Sequence, residues 1–234
     1  EARNIVIKQS PVAHKFSETE YEFGDINAYQ VPLIKREEKG NKAENELVSL
    51  CDMSSLNRAG FRGADLVRWL DENHKMNAPE INHAIEVESG HIIARLSHTE
   101  IIVMQDILIK EDNNSTFISK LNSGFSIENE TDIYCLPRQD SHAHFVLTGE
   151  SCPELFSKIC AVDLSKAKFL NMNVVQTSMA RSNVIIIRRD LADIPSYNIL
   201  IDTSFAEFLW DCLLDAMKEF NGSVVGCTSV LELK

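Results

Sequence analysis

The chain has 234 residues and a formal net charge of −12, with 44% hydrophobic and 25% charged residues. This balance is typical of a globular protein of one large or two small domains. An acidic chain without a Lys/Arg block repels phosphate backbones, and its apolar runs fall short of the roughly 20 residues that span a bilayer, so we expect neither nucleic-acid binding nor a membrane segment.

The first part of the chain differs from the rest. Up to about residue 43 the sequence is polar, with the charged run IKREEKGNKAENE and scattered hydrophobic residues. Its periodicity specifies no regular element. We therefore predict an extended N-terminal arm over residues 1–43, lying on its own globule or on a partner.

Alternating hydrophobic residues begin at Leu47. LVSLCDMS and NRAGFRG read as two strands, ADLVRWLDENH as a short helix, and HIIARLS with EIIVMQD as a strand pair around a tight turn. DIYCLPR and HAHFVLTG are predicted to form the next pair. SCPELFSKIC then predicts a helix that begins with Ser151 and Glu154 in capping-box spacing.

The last third repeats this plan. SNVIIIRRD and YNILIDT are predicted strands, and a helix capped by Ser204 follows. The residues predicted to form its buried stripe are Phe205, Phe208, Leu209, Cys212, Leu213, Ala216 and Phe220. The helix ends at Asn221-Gly222, and SVVGCTSVLEL is predicted to form a closing strand.

This order of elements predicts an α+β fold. We expect repeated split-βαβ (ferredoxin-like) units with antiparallel sheets and helices packed on one face of each. The predicted units are 44–130 and 131–234, after the arm.

Cysteine spacing gives no sign of a metal site or a disulfide framework. The six cysteines contain no C-x-x-C pair, so they are expected to be reduced, mostly buried thiols. No apolar stretch with a cleavage site opens the chain, so we predict no signal peptide and a cytoplasmic location.

Several residues suggest chemistry, each with a structural alternative. His142 and His144 lie two apart on a predicted strand, with Asp140 nearby, and can ligate a metal or merely share a strand face. Cys152 lies at a helix start, where the dipole favours a thiolate, or is a structural thiol. Asp52 can act as a general base or accept backbone amides at a strand end.

Three arginines lie in the segment ARSNVIIIRRD. Arg181, Arg188 and Arg189 can clamp an anion, pair with a partner's carboxylates or form surface ion pairs. No G-x-G-x-x-G or Walker motif follows a strand, and no G-x-S-x-G elbow is present.

Four segments in register carry a family resemblance. They are LVSLCDMSSLNRAGFRGADLVRWL, QDSHAHFVLTG with ICAVDLS, VVQTSMARSNVIIIRRD, and FAEFLWDCLLDA. In this order they resemble the gamma subunit of heterotetrameric sarcosine oxidase, from about residue 10 to about residue 220. That family is related to the folate-binding glycine cleavage T-protein, with which the shared residues are Asp52, Ser54, Gly63, Ala64 and Asp65.

The resemblance to the T-protein does not carry over a catalytic residue. The T-protein family uses an acidic residue in a Gly-rich, Asp-rich stretch after the second hairpin. The corresponding segment here, IIVMQDILIKEDNNS, has Asp106 but lacks the glycines and paired acids. We therefore assign no catalytic, cofactor-binding or metal-binding residue to this chain.

The resemblance implies an accessory subunit of a cytoplasmic sarcosine oxidase heterotetramer. FAD, FMN, NAD, tetrahydrofolate and zinc are implied on partner subunits, and the partners are the alpha, beta and delta chains, chiefly alpha. The alternative is a free-standing folate-binding one-carbon transfer protein of the aminomethyltransferase superfamily. A scaffold serving another dehydrogenase is also left open.

Overall fold

The computed structural model describes residues 8–36, 48–87, 90–106, 114–123 and 132–231. The strands are β1 (Tyr21–Ile26), β2 (Tyr29–Lys35), β3 (Ser49–Asp52), β4 (Arg58–Arg62), β5 (Ala84–Glu86), β6 (His91–Ser97), β7 (Glu100–Gln105), β8 (Tyr134–Leu136), β9 (His142–Thr148), β10 (Val174–Met179), β11 (Ser182–Arg188), β12 (Ser196–Asp202) and β13 (Ser223–Val224). The α-helices are α1 (Leu66–His74), α2 (Asn114–Ser123), α3 (Arg138–Ser141), α4 (Cys152–Ile159), α5 (Ala206–Met217) and α6 (Cys227–Leu231).

Two large sheets dominate the described part of the chain. One has six strands in the order β10-β11-β12-β9-β3-β13, and the other has five in the order β5-β6-β7-β4-β8. Neighbouring strands run antiparallel except β13, which is parallel to β3. The predicted α+β class with antiparallel sheets is confirmed.

The sheets pack face to face, because alternate residues of their strands supply two different apolar surfaces. On β11, Ile185 and Ile187 face the five-stranded sheet and contact a cluster that includes Ile102. Val184 and Ile186 point to the opposite face. Each large sheet therefore has one face toward the other sheet and one face toward helices.

Helices cover the outer face of each sheet. Trp210 of α5 and Phe156 of α4 pack on the six-stranded sheet. Trp69 of α1 packs on the five-stranded sheet, where its ring lies 4.9 Å from that of Phe61. The result is four layers, helix, sheet, sheet and helix, with helices on one face of each sheet as predicted.

The N-terminal region differs from the expected arm without regular structure. Strands β1 and β2 form an antiparallel hairpin, and its apolar side chains pack with α6. Val12 is fully buried in the core of the six-stranded sheet. The sequence predicted an arm because this region is polar and carries a charged run. The apolar residues of a short hairpin are too few to show the period of a strand.

Strand pairing departs from the prediction at β8 and β9. These two strands were expected to pair with each other, but β8 pairs with β4 and β9 pairs with β3 and β12. The short helix α3 between them redirects the chain. Since β3 joins the later sheet and β8 the earlier one, two strands cross the proposed 130/131 boundary, and the domain boundaries stay predictions.

Helix caps also differ from the sequence expectation. Helix α4 follows Ser151, but the Ser151 side chain makes no capping hydrogen bond. Before α5, a 3₁₀ turn spans Thr203–Phe205, and the Asp202 carboxylate accepts the Ser204 amide at 2.9 Å. Asp202 therefore caps the 3₁₀ turn, and Phe205, the N-cap residue of α5, makes no side-chain capping hydrogen bond.

The C-terminal prediction was partly wrong. The buried face of α5 consists of Ala206, Leu209, Trp210, Leu213 and Met217. Phe205 and Phe208, which were expected in the buried stripe, are 54% and 52% exposed. The predicted closing strand reduces to the two-residue β13, and the segment after it forms α6.

Candidate functional site

The first candidate is the Asp52 region at the end of β3, where Asp52 pairs with Phe145 of β9. The Asp52 carboxylate is 3% exposed and accepts the Ser54 amide at 3.1 Å and the Ser10 hydroxyl. Ser54 in turn accepts the His144 amide at 3.0 Å. Asp52 and Ser54 thus tie the strand end to its neighbour, as the structural interpretation of the motif predicted.

Burial raises the pKa of Asp52, and the hydrogen bonds from Ser10 and Ser54 oppose this rise. A general base needs an open path to a substrate proton as well as a suitable pKa. Both oxygens of Asp52 are engaged within the chain. The arrangement is that of a carboxylate that joins the N-terminal segment to β3.

Arg58 lies beside this carboxylate and was not singled out by the sequence. Its guanidinium is buried and donates to four backbone carbonyls, those of Leu56 at 2.6 Å, His142 at 2.9 Å, Ser54 at 3.3 Å and Gln139 at 3.5 Å. Burial lowers the pKa of Arg58 to about 10. Arg58 closes the turn between β3 and β4 and fixes the start of β9.

His144 faces the space between the sheets rather than solvent. It is fully buried, and its Nε2–H donates to the Asn198 side-chain oxygen at 2.8 Å. Burial, together with the nearby Arg58 charge, lowers the pKa of His144 to about 3. The imidazole is therefore neutral at physiological pH and serves as a hydrogen-bonding core residue.

His142 points to a separate polar group with Arg138, Glu100 and Ser141. Arg138 pairs with Glu100 and donates to His142 Nε2 at 3.1 Å, so the ring proton must lie on Nδ1, which is 2.8 Å from the Ser141 hydroxyl. A nitrogen that already carries a proton cannot remove one from Ser141. Burial, aided by Arg138, lowers the pKa of His142 to about 4.

The metal and thiolate interpretations find no support. Within the described ranges, no group of three or more His, Cys, Asp or Glu residues is placed to hold a metal ion. Cys152 is fully buried, and burial raises the pKa of its thiol. It therefore behaves as an apolar core residue at the start of α4.

Asp106 is the second candidate, and it lies at the end of β7. Its side chain is 2% exposed and accepts two hydrogen bonds from Arg189, from Nε at 3.0 Å and from Nη2 at 2.9 Å. Arg189 also pairs with Glu86 at 2.9 Å. The Asp106 carboxylate is thus held by an internal guanidinium.

The other arginines of this segment have different roles. Arg188 pairs with Asp190 through two hydrogen bonds of 2.8 Å. Arg181 lies in the turn between β10 and β11, where Ala180 and Arg181 both have positive φ. Of the three arginines, Arg188 and Arg189 form ion pairs within the chain, and these are largely buried rather than surface pairs.

Sequence reasoning missed Ser10, Arg58 and Asn198. They lie on three distant segments, and the contacts from Ser10 to Asp52 and from His144 to Asn198 span 42 and 54 residues. The one sequence signal was polar Asn198 inside the apolar run of β12. A polar residue in such a run is usually hydrogen-bonded within the core.

The fold and these internal polar contacts define an α+β protein with two face-packed antiparallel sheets and helices outside. Among the described residues, no helix is both long and apolar enough to cross a bilayer. The family model described as the GCVT N-terminal domain matches residues 13–234, and the chain belongs to this family. No curated protein matches the sequence.

Two solved structures share the fold. A chain of the heterotetrameric sarcosine oxidase from Corynebacterium sp. U-96, in complex with pyrrole 2-carboxylate, is 21% identical, with a TM-score of 0.67 over 92% of this chain and 96% of that one. The glycine cleavage system aminomethyltransferase T from Bartonella henselae is 15% identical, with a TM-score of 0.70 over 96% of this chain and 61% of that one. The chain thus spans about three fifths of the aminomethyltransferase.

Proposed function

We propose that this chain is the non-catalytic gamma subunit of a heterotetrameric, flavin-dependent sarcosine oxidase. The complex demethylates sarcosine oxidatively to glycine and passes the one-carbon unit to tetrahydrofolate. In this proposal the chain is cytoplasmic and serves assembly and stability. It packs chiefly on the alpha subunit, while FAD, FMN, NAD, tetrahydrofolate and zinc belong to the alpha, beta and delta subunits.

The contact between Asp106 and Arg189 carries the proposal. A carboxylate that must act on a one-carbon substrate needs access to that substrate. Asp106 is 2% exposed, and one of its oxygens accepts both Arg189 hydrogen bonds. The structural likeness to a sarcosine oxidase chain agrees with a role inside such a complex.

The competing function is a free-standing aminomethyltransferase, which the family membership favours. The test is to express the chain alone and together with the flavoprotein subunits of the same organism. We expect stoichiometric co-elution with absorbance at flavin wavelengths, and no heat of binding when tetrahydrofolate is titrated into the isolated chain. Saturable folate binding by the isolated chain without co-elution would overturn the proposal.

A conservative change of Asp106 separates a structural from a chemical role. In Asp106→Asn the amide oxygen can still accept from Arg189, and Arg189 keeps Glu86, so the expected loss is about 1 kcal/mol of unfolding free energy. We expect unchanged sarcosine turnover by the assembled complex, measured by oxygen consumption. Asp190→Asn, which weakens the ion pair with Arg188 in the same way, is the matched control; a turnover loss confined to Asp106→Asn would contradict the assignment.

A further inference from the structure

Two phenylalanines at the start of α5 form an exposed apolar surface, here called the Phe patch. Phe205 ends the 3₁₀ turn before α5, and Phe208 lies in the first turn of the helix. They are 54% and 52% exposed. Because they are three residues apart, their side chains are neighbours on one side of the helix.

The packing of α5 does not need the Phe patch. The helix already buries Leu209, Trp210 and Leu213 against the six-stranded sheet. The other large exposed hydrophobic residues in the described ranges lie apart in sequence, namely Val67, Leu170 and Tyr134. Adjacent exposed aromatic side chains are the kind that protein interfaces enrich.

Acidic side chains border the Phe patch. Asp202 precedes the patch, Glu207 lies within it, and Asp211 and Asp215 follow along the exposed side of α5. Hydrogen bonds from Ser204 lower the pKa of Asp202, and those from Lys15 and His14 lower the pKa of Glu207, so both are ionised at neutral pH.

Nearby cations neutralise only part of this charge. Lys15 is shared between Glu207 and Asp211, and Lys218 pairs with Asp215. The surface around the patch therefore keeps a negative excess, in line with the net charge of −12.

We propose that the Phe patch docks into an apolar socket edged by lysine and arginine on a flavoprotein subunit. This inference rests on the proposed function, because it names the surface through which an accessory subunit contacts its partner. A second copy of this chain fits less well, since a symmetric contact would bring two acidic rims together. The same negative rim disfavours an anionic membrane or a nucleic acid.

The test uses the full chain and the flavoprotein subunits expressed without it as the probe. The variant is Phe205→Ser/Phe208→Ser, and the matched control is Tyr134→Ser, which alters a 63% exposed aromatic residue on β8. We expect the double variant to keep the wild-type circular dichroism spectrum and to bind at least about tenfold more weakly, while the control binds normally. In the wild-type complex, amides of residues 203–212 should gain protection from hydrogen exchange.

Charge is tested separately with Asp215→Lys, whose side chain is 79% exposed. This variant should associate more slowly, and its association should depend less on salt than that of the wild type. If the complex forms with equal affinity in all variants and α5 stays unprotected, the docking surface is wrong while the proposed function stands. If neither the wild type nor any variant binds the flavoprotein subunits, the docking surface and the proposed function are both wrong. If the double variant loses only self-association, a second copy of the chain occupies the Phe patch instead.

Discussion

Replacing Gly63 with valine is expected to destabilise the chain by about 3 kcal/mol, a large fraction of the stability of a marginally stable domain. A side chain at this position would overlap the carbonyl oxygen of Asp132 and come within 2.6 Å of its carbonyl carbon and 2.8 Å of the Ile133 Cα. These are backbone atoms, and they lead directly into β8. The Gly63 amide also donates to Thr99 at 2.9 Å, so the glycine cannot move away without losing that bond.

Gly24→Val is the matched control for this prediction. A Cβ at Gly24 would overlap only Cδ1 of Leu33, the far end of a flexible side chain that can change its rotamer. Urea unfolding followed by circular dichroism should give a midpoint near that of the wild type for Gly24→Val and a much lower one for Gly63→Val. Equal midpoints would show that the approach of residue 132 to Gly63 is not tight in solution.

The role of these glycines corrects a sequence expectation. From sequence alone, Gly60 and Gly63 ahead of a predicted helix indicate a tight bend into α1. Neither has a positive φ, and Gly60 lies in the middle of β4, where a Cβ would come within 2.7 Å of the Arg138 side chain. Both positions need a glycine because another segment crosses closely, and the sequence cannot show which segment that is.

Local patterns predicted the helices and most strands because their periodicity is a property of a few neighbouring residues. The turn between β6 and β7 and the helix α1 fall where the pattern put them. The predicted pairing of β8 with β9 was wrong because a strand of three residues cannot indicate its partner. The actual partner, β4, lies more than 70 residues earlier in the chain. Asn221-Gly222 correctly marked the end of the helical segment, in which α5 ends at Met217 and a 3₁₀ turn continues to Phe220. The pattern did not show that Phe205 and Phe208 are exposed.

For the candidate site, the sequence predicted the residue types but not their contacts. The backbone role of Asp52 follows from its position at a strand end, and the Ser54 amide does donate to it. That Ser10 reaches Asp52, and that Arg189 covers Asp106, depends on tertiary packing across 42 and 83 residues. No local signal specifies such pairs, so the test of a catalytic role for Asp106 required the fold.

Acid is expected to destabilise the chain between about pH 6.5 and pH 5, and His144 is expected to account for about 2 kcal/mol of that loss. The folded chain holds the pKa of His144 near 3 because of its burial, whereas an unfolded histidine titrates near 6.5. Between these values the unfolded state binds more protons, so stability is complete above the unfolded pKa and falls as the pH decreases. His142, with a pKa of about 4, acts in the same direction.

His144→Gln removes the titrating ring while its amide can still donate to Asn198. Free energies of unfolding from urea titrations at several pH values should give a shallower slope for His144→Gln than for the wild type. The control His83→Gln changes an exposed histidine and should keep the wild-type slope. Asp52 has a raised pKa and therefore opposes the acid loss, but it is present in all three proteins and cancels in the comparison. Parallel slopes for wild type and His144→Gln would mean that His144 is protonated in the folded chain. The assignment of a neutral His144 ring that donates to Asn198 between the sheets would then be wrong.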